Sequence, residues 1–164
     1  MSIIVSELCP PFVSFYGFLG AAIGAILSNL GSAFGVAQSG IGSVALGYHK
    51  PELVLKSLLP GIMAGLLGIF GLIVAIIIMV GIKNEYTYPK SFSHLASGLS
   101  VGLSSLAAGI TLGITGETGS RMYGREPKIF TGMLLVYIFG EALAVYGIII
   151  AIIISASGHG DKCF

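Results

Sequence analysis

Lys128 to Ser155 reads KIFTGMLLVYIFGEALAVYGIIIAIIIS, a long apolar run with one ionisable side chain, Glu141, near its middle. At a rise of about 1.5 Å per residue, Glu141 lies about 20 Å along a helix from either end of the run, near the midplane of a bilayer that the run would span. A carboxylate there costs several kcal/mol if charged, so an intramembrane acid is read first as a functional site on an ion or proton path. Apolar surroundings favour the neutral acid over the carboxylate. Glu141 is therefore the candidate proton-binding residue, able to load and unload.

The rest of the chain has the same character. Of 164 residues 55% are apolar, 9% are charged, 25 are glycine and none is tryptophan. A water-soluble domain has about a quarter of its residues charged, so this composition predicts an all-α integral membrane protein. The net charge of +1 points to no nucleic-acid or acidic partner. Cys9 and Cys163 lack metal-ligand spacing and read as plain thiols, and the first apolar run reads as a retained span. His49, His94 and His159 are scattered without the spacing of a metal site, and no GxxxxGK[ST] phosphate loop occurs. Neither metal, cofactor nor bound nucleotide is expected, so any energy source must come from another subunit.

Outward from the decisive run, four apolar segments appear, at about 12–46, 53–82, 92–118 and 128–155. The first two exceed what a bilayer needs, which predicts projecting or tilted ends. The breaks are Gly47 to Glu52, Lys83 to Lys90 and Ser120 to Lys128, with Pro51 and Pro127 where a helix starts and a missing N–H does no harm. The first and third breaks with their flanks hold Lys50, Lys56, Arg121, Arg125 and Lys128, against Lys83, Lys90 and Lys162. That bias predicts the first and third loops in the cytosol and both termini on the luminal or outer side.

The chain also repeats itself. FGLIVAIII at Phe70 to Ile78 matches YGIIIAIII at Tyr146 to Ile154 with an offset of 76, which also superposes Pro51 on Pro127. Gly20, Gly24, Gly31 and Gly35 fall on Gly98, Gly102, Gly109 and Gly113 with an offset of 78. The reading is two tandem helical hairpins, 1–86 and 87–164, each with an even number of spans and therefore parallel, so that further copies can close into a ring. Glycine stripes in the first and third segments let backbones approach closely and predict an inner wall, with the bulkier second and fourth segments outside, facing lipid. At the 76 offset the counterpart of Glu141 is Gly65, so four helices carry one titrating site.

Few polar partners exist for Glu141. The residues around Gly65 carry no side-chain oxygen, and Tyr137, one turn before Glu141, is the nearest candidate donor, with Gly140 and Gly65 as the other site neighbours. This poverty of oxygens favours H⁺ over Na⁺. Glu117 has Arg121 four residues on, the favourable order for a helical ion pair, and reads as a paired charge at a helix end.

ELCPPF, SAFGVAQSGIG, LLPGIMAGLLGIFGLIVA, LASGLSVGLSSLAAGITLGITGETG and IFGEALAVYGIIIAIII together cover nearly the whole chain. In these segments the sequence resembles the c-type proteolipids of the vacuolar-type H⁺-ATPases. The resemblance implies a V0-sector ring of c-type subunits in the bilayer of a vacuole or other acidic organelle. Such a ring is attached to central-stalk subunits, driven by ATP hydrolysis in a soluble sector, and rotates against a stationary a subunit. By the same resemblance, Glu141 takes a proton from a cytosolic half-channel and releases it where an arginine of the a subunit favours the carboxylate. The family often has alanine before this acid, where this chain has Gly140. Many members have a basic residue in the first helix, where this chain has Gln38. A small multidrug or cation–proton antiporter, a Na⁺-carrying rotor ring and a tetraspan scaffold are the competing readings.

Overall fold

The computed structural model describes residues 12–82 and 86–157, and every element among them is helical. Cys9, Cys163, Lys83, Lys162 and His159 lie outside the described residues. The elements are α1 (Val13–His49), a 3-10 turn (Pro51–Leu53), α2 (Val54–Ser57), α3 (Leu59–Gly81), α4 (Tyr88–Tyr123), a second 3-10 turn (Pro127–Ile129) and α5 (Phe130–Ser157). Four helical stretches, Val13–His49, Pro51–Gly81, Tyr88–Tyr123 and Pro127–Ser157, are long and apolar enough to cross a membrane.

Pro51 and Pro127 open the two 3-10 turns, each in a first turn where no N–H is needed. The second stretch is not one continuous helix. Pro60 has no N–H to offer the carbonyl four residues back, and the helix breaks at Leu58 between α2 and α3. Buried serines gather at this break: Ser43 Oγ donates to the Ser57 carbonyl at 2.6 Å, and Ser120 Oγ lies 3.4 Å from the same oxygen. α4 starts at Tyr88, ahead of Phe92, because Pro89 is tolerated in its first turn. It runs past Thr118 to Tyr123 because the polar residues there stay helical beyond the apolar span.

α1 and α4 pack against each other most extensively, with α3 and α5 flanking them. The two central helices are parallel and in register at the 78 offset. A Cβ on Gly98 would overlap the carbonyl of Gly20, and one on Gly109 would overlap the carbonyl of Gly31. A Cβ on Gly113 would stand 3.1 Å from the Gly35 Cα. Gly24 and Gly102 share the contact: their added Cβ atoms would lie 3.1 Å from the Gly98 Cα and 3.4 Å from the Gly24 Cα. The stripes predicted to pack therefore pack on one another, and close backbone approach supplies the attraction that the hydrophobic effect cannot supply in lipid.

Parallel hairpins put the first and third breaks at one end. There Lys50 Nζ donates to the Gly124 carbonyl at 2.7 Å, joining the two loops. At the other end the start of α1 meets the start of α4 through stacked Tyr16 and Phe92 rings, 5.4 Å between centroids.

Candidate functional site

Glu141 sits midway along α5, on the face that carries buried Tyr137, Gly140 and Ala144. Tyr137 and Ala144 belong to one apolar cluster with Ala64 and Leu67 of α3 and Ala108 and Leu112 of α4. Gly140 brings α5 close to α4: a Cβ there would lie 3.3 Å from Leu112 Cδ2 and 3.9 Å from Thr111 Cγ2. Both carboxyl oxygens of Glu141 are buried, and neither has a hydrogen-bond partner among the described residues. In such a place a carboxylate would lose its hydration and find no hydrogen bond among the described residues in exchange.

Tyr137 is not the donor expected for Glu141. Its hydroxyl turns to α4, where it lies 3.4 Å from the Thr115 carbonyl. The reason is competition: a backbone oxygen on a packed neighbour is in reach, and the phenol is buried against α4 and not along its own helix. Gly65, the counterpart of Glu141, has nothing within 4 Å of where its Cβ would be. Crowding therefore does not exclude a Cβ at this position. Nearby, Ser32 Oγ lies 3.5 Å from the Gly65 carbonyl, a polar contact at the depth of the absent acid.

Glu117 and Arg121 form the expected ion pair, Arg121 to Glu117 Oε1 at 2.7 Å. The sequence reading missed the second partner: Gln38 on α1 donates from Nε2 to the other carboxylate oxygen of Glu117. The 78 offset that superposes the glycines also puts Gln38 beside Glu117, so the signal was present. A buried pair at the opposite end was missed as well. Tyr86 Oη lies 2.6 Å from His94 Nδ1, with Gly17 and Gly81 packed against the two rings. Burial pushes the Tyr86 phenol up to about 12. The eight-residue spacing of these two carries no sequence pattern that would have found them.

Among the described residues no three His, Cys, Asp or Glu side chains gather to hold a metal ion. His49, Lys50, Arg121 and Arg125 line a cavity at the end where the first and third breaks meet.

The sequence of this chain is similar to those of known proteins. The family model for the ATP synthase C subunit matches twice, at residues 19–78 and 95–154. The c' proteolipid of the V-type proton ATPase of Eremothecium gossypii is 44% identical over 160 residues, covering 96% of this chain and 98% of that protein. The V-type proton ATPase 16 kDa proteolipid subunit of Chrysotila carterae is 48% identical over 158 residues, covering 93% and 96%. The human V-type proton ATPase 16 kDa proteolipid is 44% identical over 150 residues, covering 92% and 97%. The two matched copies stand in tandem, and with four membrane-crossing stretches among the described residues the chain is a multi-pass membrane protein.

Proposed function

The chain belongs to the ATP synthase C subunit family, and from that premise we propose that it is the proteolipid of a V-type proton ATPase, a ring component that carries one proton at a time on Glu141. The observation that carries the reading is the mid-span carboxyl with both oxygens buried and unpartnered. An acid that stabilises the fold through hydrogen bonds would have partners. An acid that must give up and regain a proton is better left without them.

The cycle follows from the cost of charge. In lipid Glu141 is neutral, because a carboxylate at the bilayer centre costs about 3 kcal/mol even on the most lenient scale. Rotation of the ring brings it to a stationary a subunit, where an arginine offsets the charge. The O–H bond breaks and the proton leaves towards the lumen. The carboxylate then takes a proton from the opposite half-channel and returns to lipid. Torque comes through central-stalk subunits from ATP hydrolysis elsewhere, since no phosphate loop occurs in this chain.

The basic cavity between the first and third breaks supports placing that end in the cytosol, with the termini luminal and the protein in the membrane of a vacuole or another acidic organelle. The α1 and α4 glycine seam suits the inner wall of the ring, with α3 and α5 outside. The lack of oxygen ligands around Glu141 favours H⁺ over Na⁺, which takes several oxygens. An antiporter would be indifferent to ATP hydrolysis by partner subunits.

The test is acidification of vesicles that carry the assembled complex. Glu141→Gln is expected to assemble normally and to abolish ATP-driven acidification, and Glu141→Asp to retain part of it. Wild-type rates with Glu141→Gln would overturn the reading.

A further inference from the structure

The cations gathered where the first and third breaks meet have no task in the proton cycle. We propose that the cavity they line binds a phosphate group, presented by the headgroup of an anionic lipid in the adjoining leaflet. This rests on the reading above that this end of the chain lies at the cytosolic face of a membrane.

Both hairpins build the cavity. His49 and Lys50 stand at the end of α1, and Arg121, Gly124 and Arg125 at the end of α4. A Cβ on Gly124 would run into Leu46 Cδ1, so the two helix ends are in contact at the edge of the cavity. Its volume of about 390 Å³ is more than a single ion fills and is in the range that takes a small organic headgroup. At the 76 offset His49 corresponds to Arg125, each two residues before the proline of its break. The duplication has therefore brought equivalent positions of the two breaks to one place.

The charge at this place is not cancelled locally. Among the described residues the one ion pair is that of Arg121 with Glu117. Glu52 and Glu126 stand in the same two breaks, and neither pairs with Lys50 or Arg125. Cations at helix C-termini have a commoner task, which is to meet the last carbonyls. Lys50 does so, giving one N–H to the Gly124 carbonyl at 2.7 Å and keeping two. The exposed Arg125 guanidinium does not: it makes no hydrogen bond or ion pair among the described residues. Lys50, Arg121 and Arg125 together outweigh the Glu117 carboxylate and two helix C-terminal ends of about half a charge each. The remainder is positive, where an anion would sit.

Chemistry and depth select a lipid phosphate. Guanidinium forks match phosphate oxygens in pairs, which suits Arg121 and Arg125 to a phosphomonoester. The cavity stands at the ends of two spans, and basic pockets between spans on the cytoplasmic side fit phosphorylated lipid heads. Tyr48, beside His49 and 88% exposed, marks the same interfacial depth, where amphipathic rings settle. A phosphate carried on a lipid is kept at that depth by its acyl chains, so it reaches the cavity at a high effective concentration that a dissolved phosphate lacks.

The experiment reconstitutes the assembled complex into phosphatidylcholine vesicles with about one-tenth of a phosphatidylinositol monophosphate, re-extracts it in detergent and measures the retained lipids by mass spectrometry. The unaltered complex should hold the phosphorylated lipid about tenfold above its share of the vesicle. Arg125→Gln with Lys50→Gln should lower that enrichment about fivefold, and Arg125→Gln alone, which leaves the Lys50 link between the breaks intact, about twofold. Lys56→Gln with Lys128→Gln removes the same charge from the flanks of the same breaks, outside the cavity, and should leave the enrichment unchanged. A second arm adds inorganic phosphate to complex in phosphatidylcholine alone, and no phosphate should be retained. Retention of dissolved phosphate without lipid enrichment would overturn the headgroup as its source. No enrichment, or an equal loss in the Lys56 and Lys128 variant, would overturn the site. Detachment of stalk subunits by Arg125→Gln with lipid enrichment unmoved would also overturn it, and would give the cavity to an acidic protein surface. Glu141→Gln should retain the lipid as the unaltered complex does, so this proposal and the proton reading fail separately.

Discussion

The carbonyl oxygen of Gly31 on α1 occupies the space that a Cβ on Gly109 of α4 would need. The two helices are held at a separation that only hydrogen side chains permit, and the same holds at Gly20 and Gly98.

Gly109→Ala should therefore force the central helices apart. Overpacking costs about 1–3 kcal/mol when flexible side chains can yield, and here backbone stands in the way, so the upper end is expected. The measurement is resistance of the purified protein to unfolding by sodium dodecyl sulfate. Loss of less than about 0.5 kcal/mol would show that the seam is looser than described.

Gly65→Ala should do the opposite. Nothing lies within 4 Å of its added Cβ, and replacing a mid-helix glycine by alanine gains about 0.5–1 kcal/mol. The same unfolding assay should show equal or higher resistance. Gly65→Glu should fold too and acquire a second carboxyl reactive to carbodiimide.

The two partners of Glu117 should differ in weight. The Arg121 side chain is 55% exposed against 20% for Glu117, and an exposed pair of this spacing contributes about 0.3–0.5 kcal/mol. Gln38 joins α1 to α4, and a hydrogen bond to a charged group contributes about 1.5–3 kcal/mol. Gln38→Leu is expected to cost more than Arg121→Ala in detergent unfolding, and the difference should widen as salt screens the exposed ion pair. The reverse order would assign the stabilisation to the ion pair.

Tyr86 offers a pH test. Its folded value, about 12, lies above the ordinary tyrosine value near 10, so the neutral phenol stabilises the fold at lower pH. That contribution is fully present below about pH 10 and is lost as pH rises towards 12. Absorbance titration of tyrosinate should show a component near pH 12 that loses amplitude in Tyr86→Phe. The same variant leaves the His94 ring without its buried partner and should cost about 1–3 kcal/mol.

Four spans, their pairing into two hairpins and the single mid-span acid were legible because each depends on something periodic or rare: apolar runs, glycines in steps of three and four, one carboxylate in oil. The two glycine stripes were legible too, and the structure adds that they meet each other at Gly31 and Gly109. Polar partnerships were harder, because a phenol such as Tyr137 chooses among several oxygens by angle and distance, and here it chose the Thr115 carbonyl over Glu141. The break at Leu58 is not marked by hydropathy, because Leu58 and Leu59 carry the apolar run straight into Pro60 and α3. The helix continues to Tyr123 through a stretch whose polarity suggests a break, because polarity marks where lipid ends, not where hydrogen bonding along a helix ends.

Glycine at position 65 in place of an acid sets the gearing of the proposed machine. For a fixed amount of work per revolution, a rotor with half as many loaded teeth drives each ion with twice the free energy. Gly65 thus exchanges throughput for steepness: fewer ions per turn, pushed against a larger difference in concentration.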